Sequence, residues 1–145
     1  KAISLLSKYL YFLSDCQFPI YDTLGKVSYN LLKDNKYITS KALTDDNYFE
    51  LMITLNQTST IKDFEKLDNL LWLLGKIKEG SFSILMDKSK YETIVKQVDF
   101  SKAVKSQEKD KAIRRYIQYN YKKSNSFSPM EKEFLEFAFT LNELQ

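Results

Sequence analysis

Apolar side chains recur every three or four residues along most of the chain, a spacing that predicts α-helices rather than strands. No segment alternates apolar and polar residues with a period of two, and no Asn-Gly or Asp-Gly pair marks a hairpin. We therefore predict an all-α protein, a compact bundle of about seven helices. The predicted helices cover residues 2–14, 23–34, a segment that starts at 44, four to five turns that start near 60, 87–97, 101–122 and a last helix from 129. On the first helix, the apolar face is expected to consist of Ile3, Leu6, Leu10 and Leu13.

Capping residues mark several of the predicted helix ends. Asp22 is expected to cap the second helix, because an aspartate oxygen accepts hydrogen bonds from the first free N–H groups of a helix. Thr60 and Asp63 resemble a capping box for the fourth helix, and Gly80 is expected to end it. The start of the last helix is predicted by Ser128, Pro129 and Glu131.

The composition excludes several familiar kinds of site. The 145 residues contain no histidine, one cysteine and three glycines. A Ser-His or Cys-His catalytic centre, a zinc site that contains histidine or only cysteines, and an internal disulfide are therefore excluded within this chain, as are glycine-rich phosphate loops. No cluster has the spacing of metal ligands, and we expect no metal and no cofactor. Lysine, aspartate, glutamate, tyrosine and serine remain as candidate chemical groups.

The charge and length suggest one domain without a membrane segment. The net charge is +3, and no run approaches 18 apolar residues, so we expect no membrane partner and a cytoplasmic location. A length of 145 residues predicts a single helical domain over 1–145. Since the chain starts at Lys1 instead of a methionine, we also expect it to be the C-terminal part of a larger domain, its upstream segment removed or supplied by another chain.

A lysine and an aspartate flank the first predicted turn. Lys8 lies on the first helix, the chain turns through Pro19, and Asp22 begins the next helix. Such a hairpin can bring the two side chains into one cleft, where the helix N-terminus keeps the aspartate ionised and the lysine amine acts as a nucleophile. The alternative is a solvated lysine and an aspartate that serves only as a cap. The sequence is compatible with both interpretations.

The segments SKYLYFL and FPIYDT carry a resemblance to a known family. Their order of lysine, apolar helix, proline and Asp-Thr resembles that of the helix-hairpin-helix DNA glycosylases, and most closely small bacterial proteins with an 8-oxoguanine glycosylase-like fold. The resemblance covers residues 4–32 and, through LDNLLWLLGK, residues 67–76. It implies a glycosylase-like helical fold lacking its N-terminal part, in which Lys8 attacks the sugar C1′ and Asp22 stabilises the developing positive charge. Leu24 stands where the family has a histidine after Asp-Thr.

The resemblance also implies a function and a partner. We expect a protein that binds or acts on DNA, in base repair or phage defence, with a lysine–aspartate site that is either active or vestigial. A second feature favours the same partner, because the predicted helix over 101–122 is rich in lysine and arginine interleaved with tyrosines, as phosphate-binding surfaces are. The alternative is a solvated face. The candidate nucleic-acid-binding residues are Lys105, Lys111, Arg114, Arg115, Tyr119 and Lys122.

The last predicted helix suggests a different class of function. It carries Phe134, Phe137 and Phe139, which cannot all face one way. We therefore expect a protein partner or the upstream segment to cover part of this helix. A non-catalytic helical module that binds a protein is the alternative to the glycosylase-like hypothesis.

Overall fold

The computed structural model describes residues 2–141, and within this range the chain is all-helical, which confirms the predicted fold class. These residues form seven α-helices, one 3₁₀ turn and no strand. The helices are α1 (Ala2–Leu13), α2 (Thr23–Asp34), α3 (Tyr48–Thr58), α4 (Phe64–Lys78), α5 (Lys88–Gln97), α6 (Ser106–Asn120) and α7 (Pro129–Thr140), and the 3₁₀ turn covers Phe82–Leu85.

Contacts divide the chain into two compact units, Lys1–Gly75 and Lys76–Gln145, with the division inside α4. The first unit contains α1, α2, α3 and most of α4, and the second contains the remaining elements. The expectation of a single domain over residues 1–145 stays a prediction.

The core of the first unit is formed where α2, α3 and α4 meet. Helix α4 approaches α2 closely because Gly75 has no side chain: a Cβ atom there would lie 3.0 Å from both Leu24 and Ser28. The buried Ser28 hydroxyl donates a hydrogen bond of 2.6 Å to the Leu71 carbonyl across this contact. The apolar side chains of this core are Tyr29, Leu43, Tyr48, Leu51, Met52, Leu67 and Leu71.

Helix α1 does not bury the face that its apolar spacing predicts. Leu6 and Leu13, expected inside, are exposed, and the buried residues are Ser7 and Tyr11. The physical reason is a hydrogen bond of 2.8 Å from the Tyr21 N–H to the Ser7 Oγ, which turns the polar face of α1 towards the α1–α2 connection. A buried N–H needs such an acceptor, and no leucine offers one.

The core of the second unit contains Phe82 of the 3₁₀ turn, stacked on Phe139 of α7 with ring centroids 6.0 Å apart. Gly80 has a φ of +87°, a conformation that suits glycine and ends α4 as predicted. The capping box at the start of α7 is also confirmed, since the Ser128 Oγ accepts from the Glu131 N–H and the Glu131 carboxylate accepts from the Ser128 N–H.

Three helices begin later than the sequence predicts, because local side chains bind the preceding backbone. Helix α3 begins at Tyr48, after a turn in which the Thr44 N–H donates to Asn47. The Thr60 capping box is wrong, since Asp63 itself accepts from the Glu65 and Lys66 N–H groups. Helix α6 begins at Ser106, because the Glu108 carboxylate accepts from the Val104 and Lys105 N–H groups.

Candidate functional site

Asp22 is the N-cap of α2, as predicted. Its Oδ1 accepts a hydrogen bond of 3.2 Å from the Leu24 N–H, and its Oδ2 accepts one of 3.1 Å from the Gly25 N–H. The Asp22 N–H in turn donates to the hydroxyl of the buried Tyr48, and that hydroxyl donates to the Ile20 carbonyl. The position of the Asp22 carboxylate is thus fixed from both sides.

Lys8 lies on α1 with its side chain exposed. The preceding residue, Ser7, is the one that accepts the Tyr21 N–H, and Asp22 follows Tyr21. Standard backbone dimensions then place the Cα atoms of Lys8 and Asp22 within about 14 Å of each other. Among residues 2–141, the structure shows no hydrogen bond or ion pair between the Lys8 ammonium and the Asp22 carboxylate. The hairpin therefore brings their segments together without pairing the two charges.

Asp68 of α4 is a carboxylate that the sequence analysis missed. Its Oδ1 atom is buried and has no hydrogen-bond partner among the described residues. Burial, together with the negative charge of Asp22, raises the pKa of Asp68 to about 6. The signal in the sequence is its spacing: Asp68 lies one turn after Phe64 and one turn before Leu71, both buried in α4. An acidic residue at the edge of a buried stripe is a candidate site residue for this reason.

Two tyrosines lie near the same carboxylates. Burial raises the pKa of Tyr48, and the charges of Asp68 and Asp22 raise it further. A hydrogen bond with the Cys16 side chain, and then burial, raises the pKa of Tyr11, which is also close enough to be affected by the charge of Asp68. Tyr11 follows Lys8 by three residues, so the two are neighbours on α1. Residues from α1, the α2 cap, α3 and α4 are therefore close enough to influence one another's charge, and we name Asp22, Asp68, Tyr48 and Tyr11 the carboxylate cluster.

Asp45 belongs to a separate polar contact in the first unit. Its Oδ1 lies 2.5 Å from the Lys26 Nζ and accepts a hydrogen bond of 2.7 Å from the Tyr21 hydroxyl. The hydrogen bond from Lys26 lowers the pKa of Asp45, with the Tyr21 bond adding to the effect. Asp45 thus links the start of α2 to the segment before α3.

The residues predicted to bind nucleic acid lie in different environments, some exposed and some already paired within the chain. Lys111, Arg115 and Tyr119 follow one another at intervals of four on α6, and all three are exposed. Lys105, just before α6, is exposed as well. Lys122 instead lies 2.7 Å from the Glu136 carboxylate of α7, a hydrogen bond that raises the pKa of the lysine. We refer to Lys111, Arg115 and Tyr119 as the α6 row.

Arg114 faces away from the α6 row. Its Nη2 donates hydrogen bonds of 3.3 and 2.5 Å to the carbonyls of Ile77 and Lys78, at the C-terminal end of α4. The Ile77 carbonyl also accepts a hydrogen bond of 2.9 Å from the Gly80 N–H. The guanidinium thus binds backbone carbonyls at the end of α4, where a helix has no following turn to supply N–H donors. This is a structural task that the sequence pattern did not reveal.

A cleft of about 430 Å³ borders the α6 row in the second unit. Lys111 and Arg115 line it together with Lys102, and two acidic residues, Asp99 and Glu108, line it as well. Both acids are already engaged by backbone N–H groups, and these hydrogen bonds lower their pKa values. The cleft therefore combines cations with acids that are held by the backbone.

The phenylalanines of α7 are largely covered by the chain itself. Phe139 is buried against Phe82 and Tyr121, and Phe134 and Phe137 are half-buried. The partner expected to cover α7 stays a prediction. Helix α1 exposes more large apolar side chains than α7 does.

Comparisons with known proteins return no match: no family model, no curated protein and no solved structure is similar to this chain. In the part of the chain that the structure describes, no helix has the length and apolar character needed to cross a bilayer. Within residues 2–141, no group of three or more cysteine, aspartate and glutamate side chains is placed to hold a metal ion.

The raised pKa of Asp68 predicts how stability depends on pH. An unfolded aspartate has a pKa of about 3.9. Between about pH 4 and pH 6, Asp68 is therefore protonated more often in the folded state than in the unfolded state. The free energy of unfolding should therefore fall as the pH rises through this window and then level off. Asp68→Asn should remove that fall and stabilise the protein at neutral pH by roughly 1–2 kcal/mol, once screening of a partly exposed group is allowed for.

Urea unfolding of both proteins across this pH range measures the effect. Glu65→Gln is the matched control, because Glu65 is an exposed carboxylate one turn earlier on α4. An Asp68→Asn variant that is less stable than the wild type at neutral pH would contradict the assignment.

Proposed function

We propose that this chain is a glycosylase-like helical protein that binds nucleic acid and excises a base at a site formed by Asp22, Asp68 and Lys8. One observation carries the proposal: a carboxylate oxygen of Asp68 is buried without a partner beside a second carboxylate, in the unit that also holds Lys8. Two neighbouring carboxylates favour a ligand that becomes positively charged. The sugar of a nucleotide that loses its base is such a ligand.

Asp22 stabilises the charge that develops on the sugar. Both of its oxygens accept backbone N–H groups at the start of α2, so the carboxylate is oriented before a substrate arrives. A fixed negative charge next to an oxocarbenium-like sugar lowers the barrier without reorganisation during the reaction. The resemblance of FPIYDT to the glycosylase segment supports the same role.

Asp68 provides the proton for the departing base. With a pKa of about 6, about one tenth of its carboxyl groups is protonated at pH 7, roughly a hundred times the fraction of an ordinary aspartate, which suits a general acid. When the bond between C1′ and the base breaks, the bonding electrons leave with the base, which takes the proton of Asp68. Asp68 is then a carboxylate and can accept a proton in the next step.

Lys8 attacks the C1′ carbon. After Lys8 has lost one proton to water, its amine forms the new C–N bond as the base departs, and the resulting ammonium passes a proton to the Asp68 carboxylate. The nitrogen lone pair then forms the C=N bond while the C1′–O4′ bond breaks, and O4′ takes the proton from Asp68. The covalent product is the protonated imine of Lys8 with the opened sugar, and Asp68 is again a carboxylate. The exposed position of Lys8, one turn before Tyr11 on α1, supports this access to a nucleic-acid substrate.

Nucleic acid binding is supported by the α6 row in the second unit. Lys111 and Arg115 are exposed cations, and Tyr119 is a ring with 79 % of its surface exposed. Cations neutralise phosphates, and an exposed ring stacks on a base. The row therefore provides the two kinds of contact that binding to single strands requires.

A non-catalytic interaction module is the second candidate function. The observation that favours it is the apolar surface of α1, which leaves five large side chains exposed. This function needs no reaction at Asp22, Asp68 or Lys8, so chemical trapping distinguishes the two candidates.

The covalent step predicts that borohydride traps the protein on DNA. Wild-type protein incubated with duplexes that hold an abasic site or a damaged base should give an adduct on a denaturing gel, because borohydride reduces the imine. Lys8→Ala and Lys8→Arg should give none. Asp22→Asn should slow adduct formation by roughly 100- to 1000-fold, because it retains the α2 cap and removes the negative charge.

Lys66→Ala is the matched control, since Lys66 is another exposed lysine of the first unit, and its adduct should equal that of the wild type. Absence of an adduct with the wild-type protein on every duplex would refute the catalytic proposal. An adduct that persists in Lys8→Ala would assign the nucleophile to another amine.

The α6 row predicts a salt-dependent affinity for DNA. Removing one cation that neutralises a phosphate should reduce the slope of log K against log salt by roughly 0.7–0.9. The double variant Lys111→Ala/Arg115→Ala should therefore show a flatter slope by fluorescence anisotropy. Arg114→Ala should keep the wild-type slope and instead lower the stability by roughly 1–3 kcal/mol, because the hydrogen bonds from the guanidinium to the Ile77 and Lys78 carbonyls are lost.

Lys96→Ala, an exposed lysine of α5, should behave like the wild type in both measurements. Equal slopes for the wild type and the double variant would exclude the α6 row as the binding surface.

A further inference from the structure

Helix α1 presents an apolar stripe to the outside. Leu5, Leu6, Tyr9, Phe12 and Leu13 are between 55 and 74 % exposed, whereas Ser7 is fully buried on the opposite side. Most soluble helices show the reverse arrangement. Since the Tyr21 N–H binds the Ser7 Oγ, rotating α1 about its axis to bury the leucines would break this partly buried hydrogen bond.

The five side chains form one continuous surface. They occupy positions i, i+1, i+4, i+7 and i+8, the pattern by which one helix packs along another. The stripe runs along α1 from Leu5 to Leu13, so it is roughly 12 Å long. We name these five residues the α1 stripe.

The area of the α1 stripe compares well with that of a dimer interface. With ~200 Å² for each fully exposed large side chain, the exposed fractions amount to roughly 650 Å². Apolar patches on monomers seldom exceed a few hundred Å². A stable dimer buries about 800 Å² on each partner, so the stripe with its borders supplies most of one interface.

The charges around the stripe favour a second copy over a lipid surface. Lys8 is the only charged residue in α1, and it lies beside the stripe rather than within it. Two copies can therefore pack through this stripe without bringing like charges together at the centre of the contact. Helices that lie on membranes carry many cations on their polar face, whereas the polar face of α1 packs inward through Ser7 and Tyr11.

We propose that the α1 stripe is the contact between two copies of this chain. The copies pack antiparallel about a two-fold axis near Tyr9, so Leu5 and Leu6 of each copy meet Phe12 and Leu13 of the other. Such a contact is self-complementary, and uncharged aromatic and aliphatic side chains form its centre, as in other homodimers. The proposal does not rest on the glycosylase-like function.

Analytical ultracentrifugation over a concentration series tests the dimer. Wild-type protein should sediment at about 34 kDa, twice the 17.1 kDa of the chain. Tyr9→Glu should sediment as a monomer with an unchanged circular dichroism spectrum, its dimer dissociation constant raised by roughly 100-fold or more, because two like charges meet at the axis. Tyr119→Glu introduces the same charge at an exposed tyrosine of α6 and should remain a dimer.

A cross-link provides a second test that does not depend on disrupting the interface. Tyr9→Cys in a Cys16→Ser background should form a disulfide-linked dimer under mild oxidation, and Tyr119→Cys in the same background should not. A monomeric wild type at every concentration overturns the proposal, as does a dimer that survives Tyr9→Glu. Monomeric protein that co-sediments with phosphatidylcholine vesicles through the α1 stripe overturns it in favour of a lipid surface.

Discussion

The hydroxyl group of Tyr48 determines the arrangement of the first unit. Tyr48 is fully buried, and its hydroxyl accepts the Asp22 N–H at 3.2 Å and donates to the Ile20 carbonyl at 2.8 Å. Its ring packs on Tyr21 with centroids 4.8 Å apart. The Tyr48 hydroxyl thus both accepts from and donates to the backbone of residues 20–22. Losing either hydrogen bond would leave a polar atom unpaired, which lowers stability. These two hydrogen bonds therefore fix the position of residues 20–22 relative to α3.

Two features of the surface follow from that position. Asp22 is set at the start of α2, near enough to Asp68 that its charge helps keep that carboxyl partly protonated near neutral pH. Tyr21 presents its N–H to Ser7, so α1 lies with its polar side inward and its apolar stripe outward. The carboxylate cluster and the exposed stripe are consequences of the same short connection, although we assign them different tasks.

The helices could be predicted from the sequence to a large extent, and the site only in part. Periodicity and capping are local, so the bounds of α2 and the capping box at Ser128 are confirmed. The inward face of α1 depends on a single long-range hydrogen bond to Ser7, which periodicity does not encode. The spacing of Asp68 marks it only as an acidic residue at the edge of a buried stripe, and the effect of Asp22 on its pKa depends on the folded structure. The hydrogen bonds from Arg114 to the end of α4 likewise join residues far apart in the sequence.

The carboxylate cluster is the central claim, and an NMR titration of the aspartate carboxyl carbons tests it most directly. We expect Asp68 to titrate with a pKa of about 6 in the wild-type protein. In Asp22→Asn the pKa of Asp68 should be lower, because one of the two causes of its rise, the negative charge of Asp22, is gone. An Asp68 that titrates near the ordinary value of about 4 in both proteins would contradict the account.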